Sequence, residues 1–145
     1  LFQRERERCS RLRQEISLCV MDLDHFKRIN DQYGHDVGDT VLKHVAQHLS
    51  CALRHSDVVG RFGGEEFILI LPDTGLEQAV AVLNRLREAL AETPVPVQGE
   101  LLPVSATFGV TTVQPDDFDL EAIIRRADQA LYEGKGAGRN RVMTA

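Results

Sequence analysis

The 145-residue chain is long enough for one domain with a single sizeable core, and 43% apolar with 27% charged residues is ordinary globular composition. A formal net charge of -5 and a pI of about 5.5 argue against an extended DNA or RNA footprint, so a small anionic ligand would need local Lys and Arg or a metal. No apolar run reaches membrane-span length, nothing reads as a signal peptide, and three cysteines without metal-ligand spacing (Cys9, Cys19, Cys51) fit free thiols in a reducing compartment, the cytoplasm.

Residues 1–15 carry an apolar stripe (Leu1, Phe2, Cys9, Leu12, continued by Ile16) between alternating Arg and Glu, which predicts a solvated helix. The run Ile16-Ser17-Leu18-Cys19-Val20-Met21 predicts a buried strand that ends in Asp22-Leu23-Asp24. Asp22 and Asp24 then share a strand face while Leu23 turns away. Asp24 can also cap the next helix, expected over 25–33 and stopped by Gly34. Residues 35–39 read as a polar connection. A long helix follows over 40–53, with Val41, Leu42, Val45, Ala46, Leu49 and Leu53 inward.

Arg54-His55-Ser56-Asp57 leads to Val58-Val59, then to Arg61-Phe62-Gly63-Gly64-Glu65-Glu66-Phe67 and the apolar run Ile68-Leu69-Ile70-Leu71. Two strand-like runs around a Gly-Gly pair predict a tight hairpin, because glycine reaches φ > 0 without steric cost. The glycines leave the tip bare, and the two glutamates point to opposite faces of the strand. A ligand with a metal fits this stretch; so does an ordinary solvated turn.

Pro72-Asp73-Thr74-Gly75 is a turn, and 76–92 an amphipathic helix with Ala79, Val80, Leu83, Leu86 and Leu90 inward. Residues 93–99 hold two prolines and read as an irregular edge segment. Over 101–113, Val104, Ala106, Phe108 and Val110 alternate with Ser105, Thr107, Gly109 and Thr111, which predicts a half-buried strand. A last helix spans 119–133, a flexible cationic loop 134–140, and a closing strand 141–144. The order predicts a single domain over 1–145 of α+β class, with helices on one face of a mainly antiparallel sheet and a ferredoxin-like βαββαβ core.

If the first strand and the second hairpin strand are neighbours, Asp22 and one of Glu65 and Glu66 meet at one edge of the sheet. Hard oxygens of this kind suit Mg²⁺, which completes its shell with water and substrate phosphate. Lys135 and Arg139 supply charge for a polyphosphate, or else form a solubilising loop.

These residues resemble a known family. Gly63-Gly64-Glu65-Glu66-Phe67 is similar to the signature of GGDEF domains, the bacterial diguanylate cyclases, in its GGEEF form. Met21-Asp22-Leu23-Asp24-His25-Phe26-Lys27-Arg28-Ile29-Asn30-Asp31 resembles the family's first-strand motif, and Tyr33-Gly34-His35-Asp36-Val37-Gly38-Asp39 its nucleotide-base loop. Ala130-Leu131-Tyr132 through Gly138-Arg139-Asn140 resembles its C-terminal motif. Order and spacing agree from about Leu12 onward. The family's Asp-x-Leu-Thr-x-Leu-x-Asn-Arg segment does not occur in this chain, which opens on Leu1 rather than Met, and we expect a C-terminal piece of a longer signalling protein with an upstream sensory or regulatory domain.

The resemblance implies a fold like that of nucleotide cyclases and polymerase palms, and an activity: condensation of two GTP into cyclic di-GMP and two pyrophosphates. It implies Mg²⁺ (or Mn²⁺) on the side chains of Asp22 and Glu65 and the carbonyl of Leu23, with Asp24 as a possible second-metal ligand. Asn30 and Asp39 would bond the guanine edge, with His35 beside them. Phe26 and Lys27 would meet phosphates through the start of their helix, Lys135 and Arg139 would hold the terminal phosphates, and Glu66 or Glu65 would help deprotonate the ribose 3′-hydroxyl. Gly63 and Gly64 would leave room for substrate. One domain holds one GTP, so a homodimer is implied. Arg54-x-x-Asp57, five residues before the glycine pair, matches the family's product-inhibition motif, with Arg85 as a further partner; the plain alternative is an arginine complementing a helix C-terminus. A catalytically silent module that binds cyclic di-GMP or GTP as a receptor is the alternative function. Neither reading involves nucleic acid or membrane contact.

Overall fold

The computed structural model describes Arg4 and residues 15–145. The helix expected over 1–15 therefore lies almost wholly outside the described residues. The elements run β1 (Ile16–Leu23), α1 (Phe26–Tyr33), α2 (His35–Ala52), β2 (Val58–Phe62), β3 (Glu66–Pro72), α3 (Leu76–Glu92), β4 (Val95–Val97), β5 (Glu100–Leu102), β6 (Ala106–Thr112), α4 (Leu120–Gly136) and β7 (Val142–Thr144).

Five strands form one sheet in the order β2-β3-β1-β6-β7; β2–β3, β3–β1 and β1–β6 pair antiparallel, and β6–β7 pairs parallel. This is the βαββαβ core with one strand added, a mixed sheet flanked by four helices. β1 lies at its centre because its run is apolar on both faces, and a strand of that kind needs cover on both sides. Cys19, Met21 and Leu23 pack with α1, α2 and α3, whereas Ile16, Leu18 and Val20 pack with Ile123, Ala127 and Leu131 of α4. The one-face arrangement is thus corrected: α4 covers the second face.

The second face also explains β6. Its Thr107, Gly109 and Thr111 alternate with apolar residues, yet the strand is buried rather than half-buried. Thr107 Oγ1 donates to Asp24 at 2.6 Å, and Thr111 Oγ1 accepts from Arg126 Nε at 2.8 Å, so each hydroxyl is satisfied under the helix. Gly109 lets α4 approach closely, because a Cβ there would lie 2.1 Å from the Ala127 carbonyl oxygen.

Other expectations shift by a turn or a break. Residues 35–39 are not a connection but the start of α2, since Gly34 at φ 90 both ends α1 and opens α2. Val37 joins the buried stripe, Leu53 is only half-buried and Ala46 is exposed. The segment 101–113 breaks at Pro103, which has no N–H for a ladder: β5 pairs with β4 in a separate two-stranded sheet, and β6 starts at Ala106. α4 runs on to Gly136, so Lys135 sits on a helix and not in a loop. No helix among the described residues is long and apolar enough to cross a membrane.

Candidate active site

The antiparallel register of β1 and β3 sets Asp22 opposite Glu66, and that of β1 and β6 sets it opposite Thr107, so these side chains share the α4 face. Asp22 is only 3% exposed, and its Oδ2 accepts from Lys135 Nζ at 2.5 Å from the last turn of α4. The Leu23 N–H donates to the Glu65 carbonyl at 3.3 Å, which ties the end of β1 to the hairpin turn.

Burial raises the Asp22 carboxyl above the usual carboxylate range, against the opposing pull of Lys135. Glu65 is raised by burial and then by the charge of Asp22. Glu66 is raised by the same two causes and by Asp128. Three carboxyl groups therefore share one partly desolvated electrostatic environment, with Lys135 as a counter-charge.

A cleft of about 670 Å³ opens over this edge, lined by Asp22, Leu23, Phe26, Lys27, Glu65, Lys135 and Arg139 among the expected residues, and by Arg28, Asp31 and Gln32 besides. α1 begins here with no side-chain cap, so its first turn presents backbone N–H groups beside Phe26 and Lys27. Expected residues outside the cleft lining are Glu66, Asn30, His35, Asp39, Gly63 and Gly64. Asn30, late in α1, abuts the start of α2: a Cβ on Gly38 would lie 2.0 Å from its Oδ1. That Oδ1 is buried with no hydrogen-bond partner among the described residues. His35 and Asp39 are exposed on the same first turns of α2. Gly63 sits at φ 82, and nothing lies within 4 Å of a Cβ placed on it or on Gly64, so the hairpin tip is bare.

Two features escaped the sequence. Arg61 donates from Nε and Nη2 to the Gly64 carbonyl at 3.2 and 2.7 Å and so fixes the tip; its place two residues before the glycine pair was the available signal. Asp24 does not cap α1. The N-cap is His25, left-handed at φ 58, and the Asp24 carboxylate bonds elsewhere.

The donor set fits a hard divalent cation. Asp22 and Glu65 bring carboxylate oxygens that repel each other across the cleft. Hard carboxylate oxygens of this kind suit Mg²⁺, which takes one or two carboxylates and completes its shell with water and substrate oxygens.

Residues 1–141 match the family model described as Diguanylate cyclase, GGDEF domain. The chain belongs to the GGDEF family. It is 47% identical over 131 residues to Diguanylate cyclase DgcP of Pseudomonas aeruginosa, covering 90% of this chain and 19% of that protein. It is 43% identical to a Diguanylate cyclase of Vibrio cholerae, covering 92% of this chain and 41% of that protein. The chain thus spans well under half the length of these relatives. Among solved structures, the GGDEF domain of DgcB from Caulobacter crescentus in complex with c-di-GMP superposes with a TM-score of 0.91 at 30% identity, covering 97% of this chain and 84% of that one.

This GGDEF domain has a second cavity, of about 360 Å³, between the end of α2 and α3. Arg54, Asp57 and Arg85 line it together, with Thr74 and Gln78. Arg54 is already engaged: Nη2 donates to the Pro72 carbonyl and to Thr74 Oγ1, each at 2.7 Å, and lies 3.3 Å from Asp57 Oδ1. Arg85 is exposed on α3.

Proposed function

We propose that this GGDEF domain is the catalytic domain of a diguanylate cyclase, which condenses two GTP into cyclic di-GMP and releases two pyrophosphates. The observation that carries the reading is the convergence of Asp22 and Glu65 with Lys135 and Arg139 around one cleft, from elements far apart in sequence. Family membership and relatives that are themselves diguanylate cyclases support it.

In this reading Asp22 and Glu65, with the Leu23 carbonyl, would hold Mg²⁺ or Mn²⁺. The ion would supply charge stabilisation at the α-phosphate and favour an ionised 3′-oxygen. Lys135, Arg139 and the N–H groups that open α1 at Phe26 and Lys27 hold the phosphates, and their positive charge is aimed where negative charge develops on the leaving pyrophosphate. Glu66 takes the ribose 3′-proton, with Glu65 as the other candidate; a carboxylate held above its usual range is the stronger base. The 3′-oxygen then bonds to the α-phosphorus of the other GTP as the bond to pyrophosphate breaks, and this happens twice per product.

Asn30 and Asp39 read the guanine edge beside His35. The orphaned Asn30 acceptor supports this, because a base lacking the matching donor would leave it unpaired. The bare backbone of Gly63 and Gly64 leaves room for the nucleotide. Arg54, Asp57 and Arg85 hold the cyclic product in the second cavity as feedback inhibition, since arginine presents paired donors to a guanine edge or phosphate.

The test is incubation of the concentrated chain with GTP and Mg²⁺, with cyclic di-GMP read by mass and a phosphodiesterase present to remove inhibiting product. Glu65→Gln and Asp22→Asn should each lower product by about a hundredfold or more, the order expected for loss of a group that stabilises transition-state charge. GTP or cyclic di-GMP binding without turnover would instead support the receptor reading. No binding of either would sink the site assignment.

A further inference from the structure

Asp24 is buried at the rim of the cleft, yet protein donors occupy its carboxylate. Oδ1 accepts from Thr107 Oγ1 at 2.6 Å. Oδ2 accepts from Ser105 Oγ at 2.6 Å and from the Asn140 backbone N–H at 3.0 Å. The same N–H reaches Thr107 Oγ1 at 3.1 Å. One carboxylate at the end of β1 thus joins β6, the connection that leads into it, and the turn after α4. Three of the about four acceptor positions of this carboxylate are taken by protein donors.

The turn needs an anchor. Gly138, Arg139 and Asn140 lie in succession at φ 125, 62 and 46. Two of them carry side chains, and left-handed backbone of that kind persists only where the surroundings over-determine it. The Arg139 N–H closes the end of α4 onto the Gly134 carbonyl at 3.0 Å, and the Arg141 carbonyl accepts from Phe108 N–H at 2.9 Å. Between these two fixed points the Asn140 N–H is the next donor, and it goes to Asp24. From this turn the Arg139 side chain lines the cleft, with Nη1 3.4 Å from the Lys135 carbonyl.

We propose that Asp24 is a positioning residue: by holding the Asn140 amide it fixes the 138–140 turn and so aims the Arg139 guanidinium at the distal phosphates of the bound nucleoside triphosphate. The ligand in this statement rests on the nucleotide reading above; the anchor rests on hydrogen-bond geometry alone.

Two measurements on the whole chain test it. The first is calorimetric binding, in Mg²⁺, of a GTP analogue with a methylene in place of the α,β-bridging oxygen, which cannot turn over. Arg139→Ala should weaken binding about tenfold in the otherwise unaltered chain, as loss of a charge-assisted phosphate contact does. In an Asp24→Ala background the same change should cost less than about twofold, because the guanidinium is no longer aimed. An equal factor in both backgrounds would overturn the proposal. Asp24→Asn keeps an acceptor oxygen for the Asn140 N–H and removes the charge. It should bind the analogue within about threefold of the unaltered chain, a loss of one hydrogen bond at most; binding as weak as that of the alanine variant would overturn positioning in favour of a charge or metal role.

The second measurement is amide hydrogen exchange without ligand. Asn140 should be protected in the unaltered chain and in Asp24→Asn, and exchange about tenfold faster or more in Asp24→Ala, where Thr107 Oγ1 remains as an acceptor, while the β1 and β3 amides stay protected. Unchanged protection at Asn140 in the alanine variant would overturn the anchor. If the unaltered chain bound no analogue, the nucleotide reading would fall, together with the aim of Arg139 at phosphate, while exchange would still decide whether Asp24 fixes the turn. If Asp24→Ala does not fold, Asp24→Leu, which keeps the side-chain volume and removes every acceptor, takes its place in both measurements.

Discussion

Arg54 and Arg85 face one cavity but differ in what else they hold. Arg54 bridges the end of α2 to the turn after β3 through the Pro72 carbonyl and Thr74 Oγ1, partly buried, besides its contact with Asp57. Replacement by alanine removes both donations and leaves the Pro72 carbonyl only its bond from Thr74 Oγ1 at 2.8 Å, which should lower stability by about 1–2 kcal/mol. Arg85 is exposed, so Arg85→Ala should leave stability within about 0.5 kcal/mol. Both changes should weaken cyclic di-GMP binding if the cavity is the product site. Urea denaturation and titration with cyclic di-GMP separate the two roles. Tight binding by Arg54→Ala at reduced stability would make Arg54 purely structural.

At the scale of elements, the contact of α4 with β6 is the least forgiving. A methyl on Gly109 would meet backbone, the Ala127 carbonyl oxygen at 2.1 Å and the Leu131 nitrogen at 2.5 Å, and neither can swing aside. Gly109→Ala should therefore cost about 3 kcal/mol or more, or leave the chain unfolded, as overpacking against backbone does; a urea midpoint close to that of the unaltered chain would contradict the packing. α2 carries a milder prediction. Burial and the neighbouring His44 hold the His48 imidazole below its ordinary value of 6.5. The unfolded chain therefore takes up this proton first, so the contribution to stability is complete above about pH 6.5 and is lost as pH falls through that value. His48→Gln should flatten the stability slope between about pH 7 and pH 5, and an unchanged slope would remove His48 from it.

Elements with a strong local pattern were legible in the chain itself. α3 has the bounds expected of it because a turn precedes it and its stripe has helical spacing throughout. The Gly-Gly hairpin and the closing strand also lie where expected. Tertiary cover decided the rest. The threonines and glycine of β6 look like a solvent face until α4 is packed on them. The carboxylate pair was legible because strand alternation placed Asp22. The role of Asp24 was not, because its partners stand 81, 83 and 116 residues away and nothing local points to them.

For the molecule as a whole, the number of active clefts per reaction is the open consequence. One cleft of about 670 Å³ is sized for one nucleotide and lies open along the sheet edge. Cyclic di-GMP contains two, each of whose 3′-oxygens must attack the other's α-phosphorus. If the domain runs the proposed reaction with one triphosphate per cleft, the attacking 3′-oxygen needs a second loaded chain facing it. On that proposal the product-forming species is a dimer of loaded domains, and its amount rises with the square of protein concentration while the dimer is the minor form. Specific activity at saturating GTP should increase in proportion to protein over a dilution series, and level off where sedimentation shows the dimer complete. Fusing the chain to a dimerising coiled coil should raise the activity of dilute samples toward that plateau, because linkage replaces a bimolecular encounter by a high effective concentration. Constant specific activity across a range in which sedimentation shows only monomer would mean that one domain completes both bonds, and the two-domain reaction would have to be given up.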